Sequence, residues 1–224
     1  MNLNTKAWLG LIFLTIAMGL LLFGPAASFA YWQAWAFLAV FFGASLLHTL
    51  YLMKHDPELL KRRMSGGPTA EKETTQRIIM LFASIGFVAL LVVPALDHRF
   101  GWSAIPVILV IAGDLLIAAG YYVIFLVFKE NTFTSAAIEI AEGHKVISTG
   151  PYALVRHPMY AGAFLYCFGI PLALGSYWGF LPFLAMIPLL IWRLLDEEKF
   201  LGKNLPGYTQ YCAKVRSRLI PGIF

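Results

Sequence analysis

The sequence predicts an all-α integral membrane protein, a polytopic bundle of about six transmembrane helices. Two observations lead there. Of 224 residues, 59% are hydrophobic and only 13% are charged, whereas soluble domains carry about 25% charged residues. Mean hydropathy is +0.73, and the apolar residues fall in runs close to the roughly 20 residues that a crossing needs. Helix is the form such runs take, because a spanning segment must satisfy its own backbone groups. The net charge of +5 does not point to nucleic acid, since the basic residues lie between the apolar runs, as orientation signals do. Cys167 sits in an apolar run and Cys212 in the polar tail. They form neither a disulfide framework nor a zinc spacing, and no metal is expected.

The six runs are approximately 7–24, 31–53, 78–97, 102–128, 159–175 and 177–195. The first follows Lys6 and ends near Ser28-Phe29-Ala30, a small-x-small pattern found in signal peptides. Its apolar core exceeds the roughly 7 to 15 residues of a signal core, so it is read as a retained helix. Residues 54–77 are the one clearly soluble linker. Asp56 is placed to cap a short helix from Pro57, and Ser65-Gly66-Gly67-Pro68 breaks it. This linker reads as a solvated loop with basic anchors for anionic lipid. The last two runs are separated by little more than Gly175-Ser176, which predicts a tight helical hairpin whose arms need not both cross fully.

Orientation follows from Lys and Arg. With six crossings, Arg99 alone falls on one side. The other basic residues, Lys72 and Lys129 among them, fall on the opposite side, with Arg193 at its boundary. The positive-inside rule places the crowded side in the cytoplasm. Both termini, the loop 129–158 and the tail 196–224 are expected there.

The densest polar cluster is the run from Thr149 to Gly162 at the edge of the fifth apolar segment. Polar groups at membrane depth are costly, so such a cluster marks a candidate site. Gly150-Pro151 predicts a turn. Pro158 suits the first turn of a helix, and His157 before it is biased towards extended backbone. A loop entering a helix this way exposes backbone N–H groups and favours an anion. Tyr152 and Tyr160 offer flat faces to a planar or cationic ligand. The alternative is an ordinary interfacial belt of Arg, His and Tyr.

A second constellation, Trp192 to Glu198, closes the last run. Arg193 and Glu197 are four apart and share a helix face. Alone they would read as an exposed ion pair of small value. Asp196, Glu197 and Glu198 would oppose the helix dipole if the helix ended there, and less so if it continued. In the tail, Tyr208 and Tyr211 suit either closure over a site or an interfacial helix. Asp114 and His48 lie inside apolar runs, each a structural residue or a substrate contact.

Together these residues resemble the isoprenylcysteine carboxyl methyltransferase family and its bacterial-type members. The pattern is Gly-Pro-Tyr, then Arg-His-Pro-x-Tyr-x-Gly, then the Glu-Glu pair after the next hydrophobic hairpin, then Gly-Tyr-x-x-Tyr. The resemblance covers roughly 129–224, a methyltransferase-like region integrated with the helices of 1–128 in one domain. The resemblance implies carboxyl O-methylation of an isoprenylcysteine-like substrate; membrane phospholipid N-methyltransferases look similar in this region, so phospholipid N-methylation and thiol S-methylation are the alternative reactions. The resemblance implies S-adenosylmethionine as cofactor, in an enzyme of the inner membrane acting on a lipophilic or lipidated acceptor. His144, Lys145, Val146 and Ile147 would line the cofactor pocket. Tyr152, His157, Pro158, Met159 and Tyr160 would continue it, with Glu197 and Glu198 beside them. Arg193 would face the acceptor and, with Glu197, carry the catalytic role. A sterol-type membrane reductase using NADPH and a non-catalytic membrane protein are the rival readings.

Overall fold

A computed structural model describes residues 1–71, 73–140 and 142–224. Lys72, one of the orientation signals, lies outside them. All regular structure among the described residues is helical. α1 (Leu3–Ala26) is capped by Asn2, whose side chain accepts the Thr5 N–H at 2.8 Å. α2 spans Trp32–His55, α4 Thr74–Phe100 and α5 Val107–Glu130. These four helices are long and apolar enough to cross a membrane, and the protein is an integral membrane protein. Their outer faces carry Phe13, Leu20, Ile108 and Leu115, all well exposed, as a surface solvated by lipid would be. α5 begins later than the apolar run suggested, because Pro106 stands at its N-cap and Ser103 is tied to Asp97.

The hairpin is α6 (Pro158–Ala173) and α7 (Phe180–Asn204). α6 is short, about 24 Å at 1.5 Å per residue. The connection runs from Leu174 to Gly179 and is longer than Gly175-Ser176 alone implied. α7 continues well past its acids, so Asp196, Glu197 and Glu198 lie inside the helix and the conflict with its dipole does not arise.

Three connections meet at one end of the bundle. The Tyr31 hydroxyl donates to the Leu174 carbonyl at 2.6 Å, and its ring stacks on His98. Asp97 is buried and accepts from the Ser103 N–H, the Ser103 hydroxyl and the Ser176 hydroxyl. The hairpin tip therefore sits level with the α1–α2 and α4–α5 connections. Along the bundle, α5 and α6 pack backbone to backbone, with Gly113 opposite Gly169 and Gly120 opposite Gly162. Small residues permit such approach between helices in a bilayer.

At the other end, Asp56 caps α3 (Pro57–Met64), accepting the Leu59 N–H at 2.9 Å, and Pro57 opens the helix as its sequence suggested. The linker is not simply a solvated loop, however. Leu59 and Leu60 are buried against Ala7, Leu52 and Phe128, which presses α3 onto the bundle. A short amphipathic helix gains from burying two Leu, about 1.5–3 kcal/mol each.

Candidate active site

The site is built where the α6 start, the charged end of α7 and the linker 62–76 converge. Gly150 adopts φ +56°, and a Cβ there would stand 2.9 Å from the Glu130 carboxylate, so the Gly-Pro turn needs its glycine. The Thr149 hydroxyl hydrogen-bonds Glu130, pinning the turn to the end of α5. From this turn the chain enters α6 with His157 at the N-cap and Pro158 in the first turn.

Glu198 gathers two arginines and a histidine. Arg156 Nε donates to its Oε1 at 2.6 Å, His157 Nε2 lies 3.2 Å from the same oxygen, and Arg218 Nε donates to Oε2 at 2.8 Å. Burial raises the Glu198 pKa, but hydrogen bonds from His157, Arg156 and Arg218 outweigh it and bring the value down to about 2. Arg156 is buried and also donates to the carbonyls of Val215 and Arg216. The tail lies across the helix start. The Arg156 and His157 N–H groups donate to the carbonyls of Ser217 and Arg218, so two of the donors expected to be exposed are already used.

Because the folded-state value lies below the ordinary 4.5, the stabilisation from Glu198 is complete above that pH and is lost as pH falls towards 2. The melting temperature is expected to drop across that acid interval. Glu198→Gln is expected to start lower at neutral pH and to show a flatter acid limb. An acid limb identical to wild type in the variant would refute this account of Glu198.

Glu197 lies apart from that hub. The Tyr160 hydroxyl donates to its Oε2 at 2.7 Å, and Oε1 carries no hydrogen bond among the described residues. On α7, residues 195, 198 and 202 share one face, while 193 and 197 share another. A cleft of about 390 Å³ opens on the first face, lined by Arg156, Leu195, Glu198, Tyr208 and Arg218. Glu197 and Tyr160 belong to the other face, with Tyr152 and His144 near them. Asn131 Nδ2 donates to the Tyr152 hydroxyl at 2.9 Å, and burial pushes that phenol up to about 12. The His144 ring stacks on Phe133, and its buried Nδ1 has no partner among the described residues. Burial and the nearby Arg62 lower the pKa of His144, while Glu197 acts to raise it.

The remaining predicted residues divide. Met159 Sδ lies 3.6 Å from Arg63 Nη1. Val146 packs with Tyr152 and Leu205 beneath α8 (Tyr208–Lys214). Lys145 is exposed and Ile147 half-buried. Tyr208 and Tyr211 are buried rather than interfacial, and the Tyr211 hydroxyl donates to the Tyr152 carbonyl at 2.7 Å. They hold the turn from below.

Arg193 does not pair with Glu197 as a simple surface bridge. It is buried, with Nη2 on Glu71 at 2.6 Å and on the Ala136 carbonyl, and Nη1 on Gln76 at 3.0 Å. Gln76 in turn donates to Asp196 at 3.0 Å. Glu71 and Gln76 were not singled out from sequence. Their signal was weak, since one acid and one amide in a polar linker name no partner over a hundred residues away. His48 sits among the rings of Tyr121, Phe125 and Phe128, and one Asp114 oxygen is buried without a partner. Neither reaches the site just described. No group of three His, Cys, Asp or Glu is placed to hold a metal among the described residues.

Residues 108–206 match a family model described as phospholipid methyltransferase. The match runs from the first turn of α5 through the loop, α6 and α7, so it contains Tyr152, His157, Tyr160, Arg193, Glu197 and Glu198. No curated protein matches the chain.

Proposed function

We propose that the protein is an S-adenosylmethionine-dependent methyltransferase. It would act at the cytoplasmic face of the membrane on a lipophilic acceptor, with carboxyl O-methylation of an isoprenylcysteine-like molecule as the first reading. One observation carries this most: the family match to methyltransferases spans the very elements that bring Tyr160 onto Glu197 and His157 onto Glu198. In this reading the loop, the tail and both termini face the cytoplasm, and α6 and α7 cross the bilayer. The hairpin tip lying level with the other two connections supports those crossings.

The residues present suit such a cofactor. Among the described residues Glu197 offers a carboxylate oxygen without a hydrogen bond and His144 an unpartnered ring nitrogen, and Tyr152 and Tyr160 offer aromatic walls. Bound S-adenosylmethionine would supply an electrophilic methyl group on a sulfonium. Glu197, with His144 to Ile147, Tyr152, His157, Pro158, Met159 and Tyr160, would hold it. Glu198 would set the wall by fixing Arg156 and His157. Arg193, locked by Glu71 and Gln76, would present its positive charge to the acceptor. Methyl transfer is an in-line displacement, so positioning is the main work of these groups. A carboxylate acceptor is already ionised and needs no base.

Phospholipid N-methylation is the second reading, favoured by the description of the matching family. An amine must lose a proton. Glu198, with a pKa of about 2, is too weak a base near neutrality, which leaves Glu197 and His157.

Calorimetry with S-adenosylhomocysteine and with NADPH tests the class. Binding of the first alone is expected, and binding of NADPH alone would reject the proposal in favour of a reductase. Incubating membranes with tritium-labelled donor then identifies the acceptor. Label released as volatile methanol by base marks a methyl ester, and base-stable label in extracted lipid marks an N-methyl product.

A further inference from the structure

The arginines around the site are not alike. Arg156 and Arg218 share Glu198, and Arg193 has Glu71. Arg62 and Arg63, at the end of α3, have no carboxylate within ion-pair distance among the described residues. Both are nonetheless drawn inward. The buried Leu59 and Leu60 fix the helix, and the next turn delivers the two guanidinium groups onto the loop after α5. Arg62 Nη2 donates to the Thr132 carbonyl at 2.6 Å, and its Nε is buried with no partner among the described residues. Arg63 Nη1 donates to the Ser135 carbonyl at 3.0 Å and points at Met159 Sδ, while its guanidinium lies 5.6 Å from the Phe128 ring centre.

Met159 and Tyr160 form the first turn of α6, and Tyr160 holds Glu197. Arg63 therefore stands beside the proposed reaction centre. Burial lowers its pKa, Arg193 adds to that, and Tyr166, Tyr160 and Tyr152 oppose it. An arginine cannot shed its proton to escape such a position. A half-buried charge without a counter-ion among the described residues is partly desolvated at a cost, and the buried acid Glu71 is committed to Arg193.

We propose that Arg63, supported by Arg62, binds an oxyanion carried by the methyl acceptor, the carboxylate or phosphate of a lipid. This rests on the methyltransferase reading above and narrows it: the acceptor brings a negative charge next to its methyl-accepting atom, and neutral sterols, alcohols and thiols are poor substrates. Arg63 is then a substrate-binding residue supplied by the N-terminal half, outside the family match. A planar guanidinium with several free N–H donors suits carboxylate and phosphate oxygens alike.

The test uses the full chain in dodecyl maltoside, with melting temperature followed against dodecyl phosphate, dodecanoate, dodecanol and inorganic phosphate. Wild type is compared with Arg63→Gln, Arg63→Lys and Lys61→Gln, the last an exposed neighbour. Saturable stabilisation by one or both alkyl oxyanions is expected, and none by dodecanol. Losing a charge-assisted contact should raise the half-saturating concentration at least about tenfold in Arg63→Gln. Arg63→Lys should fall between, and Lys61→Gln should match wild type. Should Arg63→Gln not fold, Arg63→Lys carries the comparison. Unchanged half-saturation in the Arg63 variants would overturn the proposal, as would equal stabilisation by inorganic phosphate, which would mark a site for free anion. Affinity for S-adenosylhomocysteine, measured on the same samples, separates the two readings. Its absence from wild type would reject the methyltransferase, whereas its retention in Arg63→Gln alongside lost oxyanion binding would assign Arg63 to the acceptor.

Discussion

Glu197→Gln is expected to lose S-adenosylhomocysteine binding while the protein stays folded. The substitution keeps the shape, and its amide oxygen can still accept from the Tyr160 hydroxyl that lies 2.7 Å from Oε2. What it removes is the negative charge and the free carboxylate acceptor. A hydrogen bond to a charged group is worth about 1.5–3 kcal/mol, so affinity should fall about tenfold to a hundredfold. Turnover should fall at least as far. Calorimetry reads the first quantity and label incorporation the second. His157→Ala should show a different signature, because His157 also supports Glu198 at 3.2 Å. Its loss of cofactor binding should be accompanied by a lower melting temperature. Full affinity in Glu197→Gln would remove Glu197 from the site.

The other large effect is expected from Gly120→Leu. A Cβ at Gly120 would stand 2.6 Å from the Gly162 carbonyl and 2.8 Å from the Tyr166 nitrogen, both backbone atoms that cannot step aside. Leu keeps the helix former and the apolar character, so only the spacing of α5 and α6 is challenged. Overpacking typically costs about 1–3 kcal/mol and more where backbones must part. Gly162 lies in the second turn of α6, so the displacement also reaches His157 and Tyr160. Loss of folded protein in detergent, or a folded protein without activity, is expected. Gly19→Leu on α1 is the control, since nothing lies within 4 Å of its added Cβ, and it should be neutral. Equal melting temperatures for the two variants would show that the α5–α6 contact is not tight.

Much of the architecture is legible in local chemistry. Apolar runs announce their own helices, because a backbone in lipid has no other way to pair its groups. Asp56 before Pro57 announces α3 through capping alone, within three residues. The polar cluster at 149–162 and the Glu pair at 197–198 are legible as site material because both are too polar for a membrane edge. How they divide is not. Which glutamate faces Arg156 and which faces Tyr160 depends on the rotation of α7 against α6, a matter of packing. Glu71 and Arg63 are harder still. Their partners come from the loop after α5 and from α6 and α7, and a linker rich in Lys and Arg reads by composition as solvated. Only the buried Leu59-Leu60 pair hints that this linker folds back onto the bundle. Gly113 with Gly120, and Gly162 with Gly169, are seven residues apart, but that spacing was not legible from sequence as a helix contact, because it does not say which helix packs on which.

The Asp97 network bears on traffic through the molecule. Tyr31 with Leu174, and Asp97 with Ser103 and Ser176, tie the three connections together at one end. Parting them would strand a buried carboxylate and a tyrosine hydroxyl, so this end works as a sealed base. For the methyltransferase proposed above, donor, acceptor and both products would then enter and leave by the opposite end or sideways from the leaflet beside it. The proposed chemistry would then be confined to one half of the membrane, and a lipid modified there would stay in the leaflet from which it came.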